Sequence, residues 1–191
     1  MMLTNTSDVD FIIPLLKQED NNIKKIAYSG THGTGKTTSC FNLATQCKLN
    51  CHSKSIHLLT EVASESPFKI NKETTVESQM WIFANQISRE LENSLRYKIL
   101  ISDRTIADNI AYTMAAGFKT LAQNQIEFAK SFISTYDYIF LKQSSTNNFH
   151  YEDGIRDSKD KQFREDVEDS LHEVYYALKP YMASEDQIKY I

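Results

Sequence analysis

The chain has 191 residues, of which 41% are hydrophobic and 24% are charged, and its formal net charge is −4 at pH 7. This length fits one globular domain that buries about 70% of the surface of the unfolded chain, and no apolar run approaches the roughly 20 residues that span a membrane. A negative net charge without a long Lys/Arg cluster argues against a broad nucleic-acid-binding surface. The composition therefore favours a soluble domain with a small-molecule partner and without a membrane partner, and it makes nucleic acid a less favoured partner.

The N-terminal segment and the cysteines bear on the compartment. The first 22 residues lack a basic n-region, and Pro14 interrupts their longest apolar stretch, so they do not resemble a signal peptide. The three cysteines are odd in number and unsuited to a disulfide framework, which indicates a reducing environment. We therefore expect a cytoplasmic protein.

Strands and helices alternate along the predicted chain. Thr74 and Glu77 match a capping-box signature, which predicts the start of a long helix whose apolar residues recur at helical spacing up to Leu95. In chain order the predicted elements are a strand at 23–29, a helix from 36, a strand at 55–61, the long helix from 74, a strand at 99–103, a helix ending at 117, a helix at 123–135, a strand at 136–142, a polar loop at 143–160, a helix at 163–178 and a strand at 188–191. Parallel neighbours need crossover helices, so this alternation predicts an α/β fold with a mostly parallel sheet.

The most specific motif lies between the first predicted strand and helix. Residues 30–37, Gly-Thr-His-Gly-Thr-Gly-Lys-Thr, match G-x-x-x-x-G-K-[ST] without a mismatch. Glycines let the backbone approach phosphate oxygens, and the following helix directs its positive end at them. A plain strand-to-helix turn would need neither three glycines nor a lysine. The candidate nucleotide-binding residues are Gly30, Thr31, Gly33, Thr34, Gly35, Lys36, Thr37 and Thr38.

Individual side chains of this motif suggest particular contacts. Lys36 would place a compact positive charge on the β- and γ-phosphates. Thr37 would offer its hydroxyl to Mg²⁺, and Thr38 could bond the α-phosphate. We therefore expect ATP and Mg²⁺ to bind at this loop.

Asp103 closes the third predicted strand, and Arg104 follows it directly. Ligands of α/β sheets bind at the carboxyl ends of the strands, where Asp103 could act on Mg²⁺ or on its bound water. A simple ATPase has no need of a guanidinium there, whereas a second phosphate or a sugar hydroxyl would use the planar fork of Arg104. A structural Asp–Arg pair at the strand end is the alternative.

With these residues in place, the sequence resembles the nucleoside and nucleotide kinases of the P-loop class, most closely the ribosylnicotinamide-kinase-like ATP-binding proteins. The matching segments, in order, are SGTHGTGKTT, TEVASES, ESQMWIFANQISRELE, LISDRTIADNIAY and YEDGIRDSKDKQFREDVEDSL. The resemblance covers roughly residues 23–178. It implies a three-layer P-loop kinase domain at 23–191, with a five-stranded sheet flanked by helices and a lid at about 144–164, preceded by an N-terminal extension at 1–22.

The resemblance also implies residue roles around the acceptor. Glu61 would face the acceptor hydroxyl as a base or as a partner of Mg²⁺, and Glu65 is a competing choice. Gln79, Trp81, Phe83 and Gln86 lie on the long helix that would form one wall of the acceptor pocket, although aromatic residues at helical spacing commonly belong to the core. Arg104 would bind the acceptor separately.

Two arginines fall in the implied lid. Arg156 and Arg164 would close over the triphosphate and neutralise the charge that moves during transfer, with solvated surface arginines as the alternative. The catalytic candidates are Lys36, Glu61, Asp103, Arg104, Arg156 and Arg164.

The sequence leaves three functions open. The first is an ATP-dependent kinase that transfers the γ-phosphate to a small nucleoside- or nucleotide-like acceptor. The second is a kinase acting on a modified base or an end of a polynucleotide, and the third is an NTPase switch or regulatory ATPase. In this class the segment after the last strand helps to hold adenine, but here the sequence ends at Ile191, so we expect the lid side, loose binding or a second copy in a homodimer to substitute.

Overall fold

The computed structural model describes residues 7–19, 22–70, 73–143 and 161–191. Its centre is a five-stranded sheet in the order β2-β3-β1-β4-β5, and every strand pair is parallel. The strands are β1 (Lys25–Ser29), β2 (Ile56–Leu59), β3 (Ile99–Asp103), β4 (Tyr138–Leu141) and β5 (Ile188–Tyr190). The predicted α/β fold with its five-stranded sheet is confirmed.

Helices cover both faces of the sheet. They are α1 (Asp8–Lys17), α2 (Lys36–Asn50), α3 (Val76–Arg96), α4 (Ile106–Ala115), α5 (Lys119–Phe132) and α6 (Lys161–Leu178). Successive residues of a strand point to opposite faces, and β1 follows this rule. Ala27 packs into the cluster of α4, α5 and α6, whereas Ile26 and Tyr28 pack into the cluster of α1 and α2. The result is the expected arrangement of three layers.

Helix α1 lies in the segment predicted as an N-terminal extension, where the sequence had suggested no helix. Ser7 caps it by accepting a hydrogen bond from the backbone N–H of Asp10. Ile12 and Leu16, one turn apart, are fully buried in the same cluster as α2. Helical spacing of apolar residues thus gives this segment a buried face.

The N-cap of helix α3 lies one residue later than the sequence predicted. Its N-cap is Thr75, whose hydroxyl accepts a hydrogen bond from the backbone N–H of Ser78. Thr74 instead accepts a hydrogen bond from Gln79 Nε2. The predicted capping box at Thr74 and Glu77 was therefore wrong by one position, because adjacent threonines offer the same cap chemistry.

The sheet order decides where the motifs meet. Strands β1 and β3 are neighbours, with Tyr28 opposite Asp103, so the glycine-rich loop after β1 and the Asp-Arg pair at the end of β3 lie at the same edge of the sheet. None of the helices in the described ranges combines the length and apolarity needed to cross a membrane.

Candidate active site

The glycine-rich loop joins β1 to α2, and its three glycines adopt backbone conformations that other residues rarely adopt. Gly30, Gly33 and Gly35 all have positive φ angles, of 140°, 75° and 75°. A Cβ built on Gly30 would lie 2.5 Å from the carbonyl oxygen of Lys142. Because that contact is with backbone of the neighbouring strand end, only glycine fits there.

Lys36 is folded into the loop that it closes. Its Nζ donates hydrogen bonds to the carbonyl oxygen of Thr31 at 2.5 Å and to Thr34 Oγ1 at 3.3 Å, and the residue is 5% exposed. Burial, together with the neighbouring charge of Arg104, lowers the pKa of Lys36 to about 7. A phosphate bound in the loop would favour the charged ammonium, because an adjacent anion opposes both effects.

Thr37 and Asp103 bring two side-chain oxygens together beside the loop. Thr37 Oγ1 donates to Asp103 Oδ2 at 2.5 Å. Asp103 Oδ1 is buried and has no hydrogen-bond partner within the described part of the chain. Burial raises the pKa of Asp103. A hard cation would give the unpartnered oxygen a ligand bond and would stabilise the carboxylate form, so these residues fit Mg²⁺.

The described ranges contain no cluster of three or more His, Cys, Asp or Glu side chains arranged to hold a metal. This is compatible with Mg²⁺, which proteins commonly bind through one or two carboxylate or hydroxyl oxygens together with substrate phosphates and waters. A site of that kind depends on the nucleotide for the rest of its ligands.

Arg104 has an unusual backbone conformation for a residue with a side chain. It is the single non-glycine residue with a positive φ in the described ranges, at 93°, and it is 3% exposed. Its Nε donates to Glu61 Oε1 at 2.9 Å, and its Nη1 donates to the carbonyl oxygen of Gly30 at 3.4 Å. The last contact places the Arg104–Glu61 pair against the first residue of the glycine-rich loop.

Two residues that the sequence analysis did not single out complete the surroundings of Arg104. Asp108 Oδ1 lies 3.7 Å from Arg104 Nη1 and accepts a hydrogen bond from the backbone N–H of Gly30 at 3.0 Å. The guanidinium carbon of Arg104 lies 5.0 Å from the centre of the Tyr112 ring, a cation–π distance. The Tyr112 hydroxyl accepts a hydrogen bond from the backbone N–H of His32 at 3.2 Å.

A signal for these residues was present in the sequence. Thr105 and Asp108 form a capping box at the start of α4, and Asp108 and Tyr112 are four residues apart within that helix. Residues at this spacing share one face of a helix, so the face that follows Arg104 could have been assigned to the site.

Glu65, the competing carboxylate, lies elsewhere. Both of its oxygens accept hydrogen bonds from the guanidinium of Arg89, each at 2.7 Å. This bidentate pair is largely exposed, and the hydrogen bond from Arg89 lowers the pKa of Glu65. Of the two glutamates, the structure brings Glu61 to Arg104 and places Glu65 in a surface ion pair.

The four pocket candidates on α3 have different surroundings, and Trp81 packs against a small cluster of Leu59, Val62 and Leu100. Gln79 lines a narrow crevice between α3, α4 and α6, whereas Phe83 packs at 5.8 Å against the ring of Phe128, beside the core cluster. Gln86 is 1% exposed and bonds with Glu90 inside the domain. The crevice is lined by Ile70, Thr74, Gln79, Ile82, Asn109, Tyr112 and Phe163.

The lid candidates are described in part. Arg164 lies in the first turn of α6 and is half-buried. Arg156 lies outside the described residues, so its contact with the triphosphate stays a prediction.

Thr38, the last of the predicted nucleotide-binding residues, is an exposed residue of the first turn of α2.

Comparison with known proteins adds the family and the fold. A family model described as an AAA domain matches residues 25–182. No curated protein matches the sequence. The structure resembles thymidylate kinase from Ehrlichia chaffeensis, with a TM-score of 0.58 and 18% identity over 90% of this chain and 89% of that one.

Two further solved structures share the architecture. Deoxyadenosine kinase from M. mycoides with bound dCTP has a TM-score of 0.60 and 17% identity, over 87% of this chain and 89% of that one. NadR protein in complex with NR has a TM-score of 0.57 and 18% identity, and the match covers 88% of this chain but 43% of NadR. The fold is thus that of the P-loop nucleoside and nucleotide kinases.

Proposed function

The chain belongs to the AAA domain family, and from that premise and its kinase fold we propose that it is a Mg²⁺-dependent phosphotransferase. It moves the γ-phosphate of ATP to a small nucleoside- or nucleotide-like acceptor. The observation that carries this proposal is the 3.4 Å contact between Arg104 Nη1 and Gly30 O. It brings a glycine-rich loop of the phosphate-binding type and a buried Arg–Glu pair together at one edge of the sheet, which hydrolysis alone does not require.

Each of these residues has a role in the proposed transfer. The N–H groups of the loop and Lys36 hold the β- and γ-phosphates, and Arg104 orients the acceptor. The acceptor hydroxyl oxygen forms a bond to the γ-phosphorus while the bond to the bridging β–γ oxygen breaks, and the hydroxyl proton passes to Glu61. Mg²⁺, held by Thr37 and Asp103, would neutralise charge on the phosphate oxygens. ADP and the phosphorylated acceptor are the products.

The crevice beside Tyr112 is the place that we propose for the acceptor's base. Asn109 is 4% exposed, and its Nδ2 is buried without a hydrogen-bond partner among the described residues. A buried donor without a partner is costly, and a carbonyl or ring nitrogen of a base would satisfy it. The crevice has a volume of about 10 Å³, so the base must part its walls on entry.

A second candidate function is an ATP-dependent switch that transfers phosphate to water. The observation in its favour is that Arg104 already contacts Glu61, Gly30 and Tyr112. A guanidinium with this many partners could be purely structural, and the acceptor would then have no cation of its own.

One experiment separates the two candidates. The protein is incubated with Mg²⁺ and γ-labelled ATP in the presence of nucleosides, nucleoside monophosphates, nicotinamide riboside or oligonucleotides, and label on each acceptor is compared with label released as phosphate. We expect transfer to at least one small acceptor to exceed release to water. Label appearing only as inorganic phosphate would overturn the kinase proposal.

Lys36→Ala provides the variant for this assay, and Lys48→Ala provides its matched control. Lys48 is an exposed residue of the same helix. Loss of Lys36 should remove nearly all transfer with the fold intact, because it removes the charge on the γ-phosphate, whereas Lys48→Ala should retain wild-type turnover. Normal transfer by folded Lys36→Ala protein would refute the assignment of the phosphate loop.

A further inference from the structure

The left-handed backbone of Arg104 is held from the interior of the domain. A positive φ is unfavourable for a residue with a side chain, and it persists only where the surroundings determine it. The carbonyl oxygen of Arg104 accepts a hydrogen bond from Ser102 Oγ at 2.8 Å and a longer one from Gln86 Nε2 at 3.4 Å. These bonds fix the peptide group that follows Arg104.

Gln86 is in turn oriented by a buried carboxylate. Its Nε2 donates to Glu90 Oε1 at 2.7 Å and to Ser102 Oγ at 3.0 Å. Glu90 is fully buried, and the same oxygen accepts a hydrogen bond from the Tyr136 hydroxyl at 2.8 Å. Because the Glu90 carboxylate only accepts hydrogen bonds, Gln86 must turn its amide nitrogen toward it. The same NH₂ group then faces the carbonyl oxygen of Arg104.

The charge of Glu90 is matched by Lys25 at the start of β1. Lys25 Nζ lies 2.8 Å from Glu90 Oε2, and both side chains are at most 4% exposed. The ammonium also lies 4.3 and 4.2 Å from the ring centres of Phe132 and Tyr136. Apolar residues of similar volume often replace a buried ion pair without loss of stability, so such a pair is weak evidence for a stabilising role.

We propose that Gln86 and Glu90, supported by Lys25 and Ser102, are positioning residues that hold the backbone of Arg104 so that its guanidinium faces Glu61. Gln86 therefore acts through Arg104, in place of the direct acceptor contact predicted for it. The inference deepens the proposed function, since it rests on Arg104 binding the acceptor. It requires no contact between the acceptor and Gln86.

A double-mutant cycle tests this coupling. Gln86→Leu should raise the acceptor KM by about tenfold and leave the ATP KM unchanged. In an Arg104→Ala background the same substitution should change the acceptor KM less than about twofold, because residues that act through one another are not additive. An equal effect in both backgrounds, or an unchanged acceptor KM, would overturn the proposal.

Gln125→Leu is the matched control. Gln125 on α5 is also a buried amide, at 4% exposure, and neither of its polar atoms has a hydrogen-bond partner among the described residues. Its replacement should leave the acceptor KM unchanged in both backgrounds. Ser102→Ala is the milder second variant, to be used if Gln86→Leu does not fold. It removes the 2.8 Å bond to the Arg104 carbonyl and should raise the acceptor KM in the same selective way.

A spectroscopic readout tests the inference independently of catalysis. The Nε–H of Arg104, buried and bonded to Glu61, should give a slowly exchanging ¹⁵N resonance. Gln86→Leu and Ser102→Ala should shift this resonance or accelerate its exchange, whereas Gln125→Leu should preserve it. A resonance unaffected in all three folded variants would refute positioning. If the wild-type protein phosphorylates no acceptor, the proposed function fails, and this measurement still decides the inference.

Discussion

Replacing Asp108 by Asn tests whether one buried carboxylate joins α4 to the glycine-rich loop. Asp108 is fully buried, and both of its oxygens accept hydrogen bonds. Oδ1 accepts from the backbone N–H of Gly30 at 3.0 Å, and Oδ2 accepts from the backbone N–H and the hydroxyl of Thr105 at 2.8 and 2.7 Å. An asparagine has one oxygen, so either orientation of the amide turns an NH₂ group toward a donor.

The expected loss of stability follows from the number of hydrogen bonds that the substitution removes. A hydrogen bond to a charged group contributes about 1.5–3 kcal/mol, and at least one is lost, together with the ionic contact to Arg104. We therefore expect Asp108→Asn to lower the free energy of unfolding by about 3 kcal/mol. For a chain of this size that corresponds to a fall in Tm of roughly 6–12 °C.

Chemical and thermal unfolding of the wild type and the variant measure this loss. The KM for ATP should also rise, because the N–H of Gly30 loses its fixed partner. Asp169→Asn is the control, since Asp169 is an exposed residue of α6 and its replacement should change stability by no more than about 0.5 kcal/mol. A loss below about 1 kcal/mol for Asp108→Asn, with an unchanged ATP KM, would show that the carboxylate does not join the two elements.

Three further substitutions address the loop, the metal ligands and the acceptor. Gly30→Ala should abolish ATP binding in an equilibrium titration, since its Cβ would lie 2.5 Å from Lys142 O; retained affinity would contradict the loop geometry. Asp103→Asn should abolish Mg²⁺-dependent turnover without lowering Tm at pH 7. Burial raises the pKa of Asp103, so the protonated carboxyl contributes stability at low pH that is lost as pH rises through the folded pKa. The amide of asparagine is neutral at every pH and does not undergo this loss. A lower Tm with normal turnover per folded molecule would make Asp103 structural. Asn109→Leu should raise the acceptor KM with an unchanged ATP KM, and unaltered acceptor kinetics would exclude Asn109 from the acceptor site.

Local patterns were sufficient for the five strands, for helices α2 to α6 and for the glycine-rich loop, but not for α1. The motif from Gly30 to Thr37 depends on residue types at fixed short spacings, and the alternation of strands and helices depends on hydrophobic period. Both are properties of neighbouring residues, so both could be predicted without knowledge of the packing. The exceptions were equally local, since Thr75 rather than Thr74 caps α3.

The pairing of side chains across the site was decided by tertiary structure. Glu61 and Arg104 are 43 positions apart, and they meet because β3 lies between β2 and β1 in the sheet. The same long-range order selects Glu61 over Glu65, and it separates Gln79, which lines the crevice, from Gln86, which bonds to Glu90 in the interior. Hydrophobic period assigns a residue to a face of its own element, but the partner across that face depends on strand order and helix packing, which only the folded chain specifies.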